Sequence, residues 1–467
     1  MRERESSSLH LAFLILSDAL LVNAGYILAF KIRFTVIPAA NFNDYVRLIP
    51  WIAFLTIILF RIYGLYFIER KSFGELFFST VLSVFVLNVF VMALTFFYRG
   101  FAFPRSVFII GAIFQVVLIS FVRYITLHII KKIHGVQKVL LIGNKQEAFK
   151  IARKFQDIEK GWFDVKYMVC EEDIDTIMGA ISLADIVCLC PGVSQELKSE
   201  ITVAALEKRK KVMVIPELYE VLLSKTKVTG LDDTPVFELV DLNLSREQKI
   251  LKRAFDIIAS FLGLVILSPL ILLVALLIKL TSEGPVFYYQ ERVGEYGRTF
   301  KVCKFRTMIK DAEKYTGPVL ATENDPRITP LGRILRTFRI DEIPQLFNVL
   351  KGEMSIVGPR PERPVFVNQF KKENPHYKYR HLVKPGITGL AQVLAKYKTS
   401  ADDKLRYDLY YIRNYSFLLD LIIIFLTIKA ILTRESSSGV DEAEEVEDLL
   451  NGIKVLTHNE IAATKDK

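Results

Sequence analysis

KILKRAFDIIASFLGLVILSPLILLVALLIKLTSEGP, residues 249–285, is long enough to cross a bilayer, yet Ser268-Pro269 interrupts it at mid-length. A proline inside a helix removes a backbone hydrogen bond and kinks the rod. Lys249, Lys252 and Arg253 precede the run, and Lys279, Arg292, Arg298 and Lys301 follow it. Cations at both ends suit a re-entrant helix that dips in and returns on one side better than a spanning one. The commoner fate of an apolar segment of this length is a fifth, kinked transmembrane helix, which would place everything after Glu283 across the membrane.

The N-terminal part supports a membrane setting. Among 467 residues there are 34 Phe, and the mean hydropathy is +0.31, too apolar for an ordinary soluble protein. Leu9–Phe30, Val46–Phe67, Leu76–Tyr98 and Ser106–Ile129 each reach the roughly 20 residues a spanning helix needs. The first lacks a small-residue cleavage site and reads as retained. With the N-terminus inside, the inner flanks hold Arg2, Arg4, Arg61, Arg70, Lys71, Arg123, Lys131, Lys132 and Lys138. The outer flanks hold Lys31, Arg33, Arg47, Arg99 and Arg105, so nine cations face five in favour of a cytoplasmic N-terminus. Four spans return the chain to the cytoplasm, where Cys170, Cys188, Cys190 and Cys303 stay reduced. Cys188 and Cys190 share a strand face and read as packing, because no second Cys/His pair has zinc-site spacing.

From about Gln137 to Val240 the pattern changes. KVLLIG, VKYMVC, DIVCLC and KVMVIP alternate with helical stretches, the mark of a parallel sheet with crossover helices. A dinucleotide-binding turn needs several glycines after the first strand, and IGNKQEAFKIA has only Gly143. The segment reads as a Rossmann-like module without a ligand, serving assembly or regulation. A Tyr-x-x-x-Lys pair is absent, which disfavours a nucleotide-sugar-modifying enzyme built on this domain.

Further on, KVCKFRTM offers Lys301, Lys304 and Arg306; RILRTFRIDE offers Arg333, Arg336 and Arg339; GPRPERP adds Arg360 and Arg363. Spacing by three ordinarily marks a solvated helix face. Behind a membrane-dipping helix, the same cations also suit lipid head groups or phosphates. Pro359 and Pro361 fix the backbone around Arg360 and can present its guanidinium rigidly. Among these cations lie two adjacent carboxylates, Asp341 and Glu342. One reading makes Asp341 the cap of the helix EIPQLFNVL, with Pro344 in its first turn. Another gives one carboxylate the attack on phosphorus and its neighbour a Mg2+ ion, which makes the doubled charge tolerable.

KFRTM, DEIPQLFNVLKGEMSIVGPRP and KPGITGLAQV, in this order after a Ser-Pro-broken apolar segment, closely resemble the polyprenyl-phosphate hexose-1-phosphate transferases, the large monotopic-type phosphoglycosyl transferases of bacteria. The strong resemblance covers about Lys249 to Leu432. It implies that Asp341 is a nucleophile toward the β-phosphorus of a UDP-sugar, releasing UMP, and that Glu342 binds the required Mg2+. Undecaprenyl phosphate would then accept glucose-1-phosphate or galactose-1-phosphate, the first step of exopolysaccharide, capsule or O-antigen assembly. The resemblance also places Lys304, Arg306, Arg336 and Arg360 among the phosphate binders and Ser268-Pro269 at the re-entrant break. Leu390 stands where many relatives carry Trp, LAKYKTS replaces the usual continuation, and Phe338-Arg339-Ile340 replaces small hydroxyl residues before the dyad.

The expected organisation is a four-helix transmembrane bundle (1–134), a Rossmann-like α/β domain (135–245), and a mainly α, monotopic catalytic domain (246–435) with a re-entrant helix at 250–282. A polar tail (436–467) follows, whose DEAEEVEDLL is a short acidic helix or unstructured. YSFLLDLIIIFLTIKAIL reads as an interfacial helix. The setting is the bacterial inner membrane, with the catalytic domain on its cytoplasmic face and in contact with membrane lipids. No nucleic acid partner is expected, and the idle α/β fold makes a homodimer plausible. The competing class is a membrane scaffold or regulator of polysaccharide export without enzymatic activity.

Overall fold

The computed structural model describes every residue except 1, 70, 99–103, 157–161, 171–172, 240, 310–324, 396–398, 434–453 and 457–467. Arg70, Arg99, residues 396–398 of LAKYKTS and the DEAEEVEDLL stretch lie outside the described residues. The chain forms two compact units, 1–215 with 442–467, and 216–441.

The first unit opens with four long helices, α1 (Arg2–Arg33), α2 (Ala39–Ile62), α3 (Phe73–Phe97) and α4 (Arg105–His134). All four are long and apolar enough to cross a membrane. Ser72 caps α3 by accepting from the Glu75 amide at 2.9 Å. Lipid tails solvate apolar residues but not polar ones, so polar side chains turn inward and pair. Tyr26 of α1 donates to Asn88 of α3 at 2.9 Å, Asn88 donates to Gln115 of α4 at 3.0 Å, and Gln115 donates to the Val22 carbonyl at 3.1 Å. Asp18 and Arg123 form a fully buried ion pair between α1 and α4. Leu16, Leu20, Phe85 and Ile109 remain exposed, as a lipid-facing surface requires.

After the bundle come β1 (Gln137–Ile142), α5 (Lys145–Gln156), β2 (Phe163–Val169), α6 (Ile174–Ile181), β3 (Ile186–Leu189), α7 (Gln195–Glu207) and β4 (Lys211–Val214). Each of the four quoted apolar runs supplies one strand, and all pair in parallel in the order β2-β1-β3-β4. β3 is buried along its whole length because helices cover both faces. Trp162 anchors this layer to the bundle: its indole donates to the Lys71 carbonyl at 3.3 Å, and Lys131 lies 5.4 Å from its ring centre.

The second unit begins earlier than the sequence suggested. Residues 216–245 form α8 (Leu218–Leu223) and a hairpin of β5 (Lys227–Leu231) and β6 (Thr234–Glu238) within it. Val221, Leu218, Leu242 and Leu244 pack into a core with Leu405, Leu409 and Tyr411, which fixes that grouping.

The opening stretch forms one helix, α9 (Arg246–Thr281). Ser245 and Gln248 make a reciprocal capping box at its start. Its first turns are knitted to the unit: Lys252 pairs with Asp420 at 2.6 Å, Arg253 donates to the Val349 and Leu350 carbonyls, and Asp256 accepts from Ser355. Beyond them, Ile258, Phe261, Ile266, Leu272 and Leu280 are exposed, and α9 is the fifth helix, among the described residues, apolar enough to cross a membrane. Pro269 has no amide to give the Val265 carbonyl, and the Ser268 hydroxyl bonds it instead at 2.8 Å. The Ser-Pro pair therefore interrupts the amide ladder without leaving that carbonyl unsatisfied in an apolar setting.

The remaining elements are β7 (Phe287–Val293), β8 (Thr299–Phe305), α10 (Pro330–Thr337), α11 (Gln345–Lys351), β9 (Ser355–Val357), α12 (Pro364–Glu373), β10 (Gly386–Thr388), α13 (Leu390–Leu394), α14 (Ala401–Arg413) and α15 (Phe417–Thr433). Short 3-10 turns cover Glu295–Gly297, Ile340–Glu342 and Pro375–Leu382. Val274 and Ile278 of α9 pack with Phe305 of β8, Leu335 of α10 and Ile340, so the second half of α9 lies beside the turn carrying the two carboxylates. The C-terminal segment is more than a polar tail: β11 (Lys454–Val455) joins the first unit's sheet beside β2.

Candidate active site

The acidic pair sits on the 3-10 turn Ile340–Glu342 between α10 and α11. Arg339 enters that turn with φ of +56°, a conformation that non-glycine residues seldom adopt and that is held by its surroundings. Asp341 is therefore part of the turn itself and not a side-chain cap of α11, for which Pro344 is the preceding residue.

Both carboxylates are buried, but their surroundings differ. Glu342 Oε1 accepts from Lys304 Nζ and Arg360 Nη2, each at 2.9 Å. Burial opposes its charge, yet Arg360 and Lys304 overcome that penalty and hold its carboxyl well below the usual range. Burial raises Asp341 instead, and its neighbour Glu342 raises it further, against weaker opposition from Lys304, Arg336 and Arg339. Asp341 Oδ1 is buried with no hydrogen-bond partner among the described residues. One carboxylate is clamped and ionised while the other keeps a free oxygen.

Each cation of the site is delivered by a recognisable device. Lys304 stands on β8, which is pinned to α11 by Asn348: its side chain accepts from the Cys303 amide at 2.9 Å and donates to the Lys301 carbonyl at 2.8 Å. Arg360 stands in a turn pressed against β10; a Cβ on Gly358 would lie 2.4 Å from the Lys384 carbonyl oxygen, and one on Gly386 2.1 Å from the Gly358 nitrogen. Those glycines serve backbone approach. Arg380 donates to the Arg360 carbonyl at 2.9 Å and is itself fixed by Asp408 at 2.8 Å. Arg336 donates through Nε to Thr307 at 2.8 Å, and its charge favours ionisation of Asp341.

Lys304, Arg360, Asp341 and Glu342 are thus brought together, with Arg336 beside them. Arg306 is committed elsewhere. Its Nη1 donates to the Glu283 carbonyl at 2.6 Å, and its Nη2 donates to the Ser282 carbonyl and hydroxyl at 2.8 and 2.7 Å, closing the end of α9 onto β8. Ser268 and Pro269 lie in the middle of α9, in its exposed apolar stretch. Leu390 is buried in the core of the unit, so its identity is set by packing.

Sequence reasoning passed over Arg380, Asp408 and Asp325. Asp325 is buried and held by Arg327 through bonds of 2.6 to 3.1 Å, which pull its carboxyl down to about 2; its charge also favours that of Arg336. The signal was present for Asp408: it is the one acidic residue among the apolar positions Leu405, Leu409 and Ile412 of an amphipathic helix.

Among the described residues, no cluster of three or more His, Cys, Asp or Glu side chains could cage a metal. Mg2+ does not need one, since it is commonly held by one or two carboxylates together with substrate phosphates and water. An ionised Glu342 beside an unpartnered Asp341 oxygen fits that demand.

Residues 247–434 match the family described as bacterial sugar transferase. The chain is 45% identical over 222 residues to the UDP-N-acetylgalactosamine-undecaprenyl-phosphate N-acetylgalactosaminephosphotransferase of Aeromonas hydrophila, covering 47% of this chain and 52% of that protein. It is 42% identical over 222 residues to the UDP-glucose:undecaprenyl-phosphate glucose-1-phosphate transferase of Klebsiella pneumoniae, covering 46% and 48%. The aligned part spans about half the length of these two relatives. A longer match, 30% identical over 390 residues, is to the undecaprenyl-phosphate galactose phosphotransferase of Salmonella typhimurium and covers 76% of this chain and 80% of that one. With the motifs, the acidic turn and a match over most of a relative's length in agreement, the chain belongs to the bacterial sugar transferase family.

Proposed function

We propose that this protein transfers a sugar-1-phosphate from a UDP-sugar to undecaprenyl phosphate at the cytoplasmic face of the bacterial inner membrane, starting the assembly of a surface glycan. The observation that carries this reading is the asymmetry of the acidic pair: Glu342 is clamped by Lys304 and Arg360, whereas Asp341 keeps a buried, unpartnered oxygen.

In the first step an Asp341 oxygen attacks the sugar-bearing phosphorus, a new P–O bond forms, and the bond to the bridging oxygen breaks as UMP leaves with its electron pair. In the second, a phosphate oxygen of undecaprenyl phosphate attacks the same phosphorus and Asp341 departs as a carboxylate. Lys304, Arg336 and Arg360 stabilise charge on the phosphoryl oxygens through preorganised donors. Glu342 would hold Mg2+, whose chemistry when bound is to neutralise the diphosphate. Burial of Asp341 excludes water from the aspartyl phosphate, a mixed anhydride that water would otherwise hydrolyse.

The setting follows from α9. Its exposed apolar surface would lie in lipid, where the Ser268 hydroxyl satisfies the carbonyl that Pro269 frees, and the cations at both ends of the segment support a helix that returns on the cytoplasmic side. A water-soluble donor and a lipid acceptor then meet at one carboxylate near the membrane surface. The relatives' names bring N-acetylgalactosamine in beside glucose and galactose as the sugar.

The test is transfer of label from UDP-glucose, UDP-galactose and UDP-N-acetylgalactosamine to undecaprenyl phosphate, with and without Mg2+. Metal-dependent lipid labelling from one donor is expected; labelling that survives Asp341→Asn would sink the covalent role.

A further inference from the structure

The parallel sheet has no part in the chemistry above, and the place where such sheets ordinarily take a ligand is filled. In the order β2-β1-β3-β4 the winding reverses between β1 and β3, so a ligand would sit beyond the C-terminal ends of those strands. β1 runs into Gly143 at φ of +146°, and a Cβ there would meet Cys190 Cβ at 2.7 Å and Val193 Cγ2 at 3.5 Å. Cys190 is fully buried. The exit of β3 therefore closes the crevice with its own side chains, and the glycine is needed for that closure.

The edge of the sheet is different. By itself β2 would end the sheet with a row of unpaired peptide groups, a template for an added strand. Lys454 and Val455 take that place, running parallel to β2 with Lys454 opposite Tyr167 and Val455 opposite Met168. The Leu456 amide donates to the Met168 carbonyl at 2.8 Å. The Leu456 side chain is 5% exposed and packs with Leu140, Ile142, Val169 and Ile177, completing one of the two core layers of the sheet. These residues follow the catalytic unit in the chain but fold with the first unit.

We infer that the sheet is a peptide-docking module whose ligand is the chain's own C-terminal segment, Lys454–Leu456, taken as an added strand on β2 with Leu456 as its anchor. Main-chain bonds along the edge supply affinity, and the apolar hole that Leu456 fills supplies selectivity, as in other strand-addition sites. The inference does not rest on the transfer reaction, because every residue in it lies outside the acidic site.

The experiment is hydrogen exchange on the full-length protein in nanodiscs, following the amides of Phe163–Val169. Leu456→Asp is expected to speed their exchange at least tenfold. A synthetic peptide of residues 450–460 added to that variant restores the protection, whereas the same peptide carrying Leu456→Asp does not. Equal protection in wild type and variant, or the same effect from both peptides, whether both restore protection or neither does, would overturn the docking site. Cross-linking of a mixture of isotopically labelled and unlabelled protein tests the occupant. Links between β11 and β2 confined to one isotopic chain support the chain's own segment, and links between the two kinds of chain overturn it in favour of a strand shared between copies.

Discussion

Arg360 donates to Glu342 at 2.9 Å, and that bond joins the proline-framed turn to the acidic turn. It places a fixed cation on the clamped carboxylate and leaves Asp341 as the carboxylate with an unpartnered oxygen. Removing one preorganised donor of this kind typically costs about a hundred- to a thousandfold in turnover. Arg360→Met is expected to fall in that range. Arg360→Lys, which keeps the charge and loses the planar fork, should recover part of the loss. Turnover with saturating UDP-sugar and undecaprenyl phosphate checks both.

Asp341→Asn should abolish lipid labelling while the fold survives. It removes one of two adjacent buried carboxylates and so relieves like-charge repulsion. Thermal unfolding in detergent is expected to show a melting temperature equal to or above wild type. A marked drop in melting temperature would assign Asp341 to structure instead of chemistry.

Arg306→Met separates positioning from phosphate binding. The guanidinium closes the end of α9 through three hydrogen bonds, so its loss should cost stability, on the order of 2–4 kcal/mol for bonds from a charged donor. Protein that remains folded should keep its KM for the UDP-sugar. A raised KM with unchanged melting temperature would return Arg306 to the phosphate binders.

His381 gives the catalytic unit a pH dependence. Burial, then the charges of Arg380 and Lys371, push its imidazole from 6.5 down to about 4. A lowered folded-state value means the unfolded chain binds the proton first, so the contribution is fully present above about pH 6.5 and is lost as pH falls toward 4. Its size is about 3 kcal/mol. Asp408, raised to about 6 by burial against the pull of Arg380, contributes with the opposite sign: it favours the fold at low pH and fades as pH rises through 6. The difference between wild type and His381→Phe isolates the histidine. Melting curves at pH 7 and pH 4.5 should show a larger acid-induced drop for wild type than for the variant.

Pro269→Ala restores an amide for the Val265 carbonyl and frees the Ser268 hydroxyl from that task. If the break is what turns the helix back, part of the population should become spanning. Arg298→Cys in a background without the native cysteines should then be labelled from outside intact cells by an impermeant thiol reagent, and should stay unlabelled with Pro269 in place. Equal labelling in both would remove the proline from the topology.

The contrast between Lys304 and Arg306 shows how far the sequence reaches. Both stand in KFRTM among apolar neighbours, and both read as phosphate binders, yet one meets Glu342 and the other the end of α9. Two positions along a strand share a face, so spacing alone cannot tell them apart; what lies opposite each side chain depends on how β8 packs against its neighbours. Asp325 escaped notice for a related reason, since a lone carboxylate in a loop acquires meaning only from the Arg327 that wraps it.

The sequence by itself determined the apolar lengths of five helices, the four parallel strands, the gap that Pro269 leaves in the amide ladder and the adjacency of Asp341 and Glu342, because periodicity, hydrophobic length and proline chemistry are local properties. Only the tertiary structure decided that Glu342 is clamped while Asp341 keeps an open oxygen, that Arg306 serves α9, that residues 216–245 join the second unit, and that Lys454–Leu456 return to β2. Each of these rests on contacts between residues far apart in the chain, where burial and the partner across the gap, not the residue type, set charge and role.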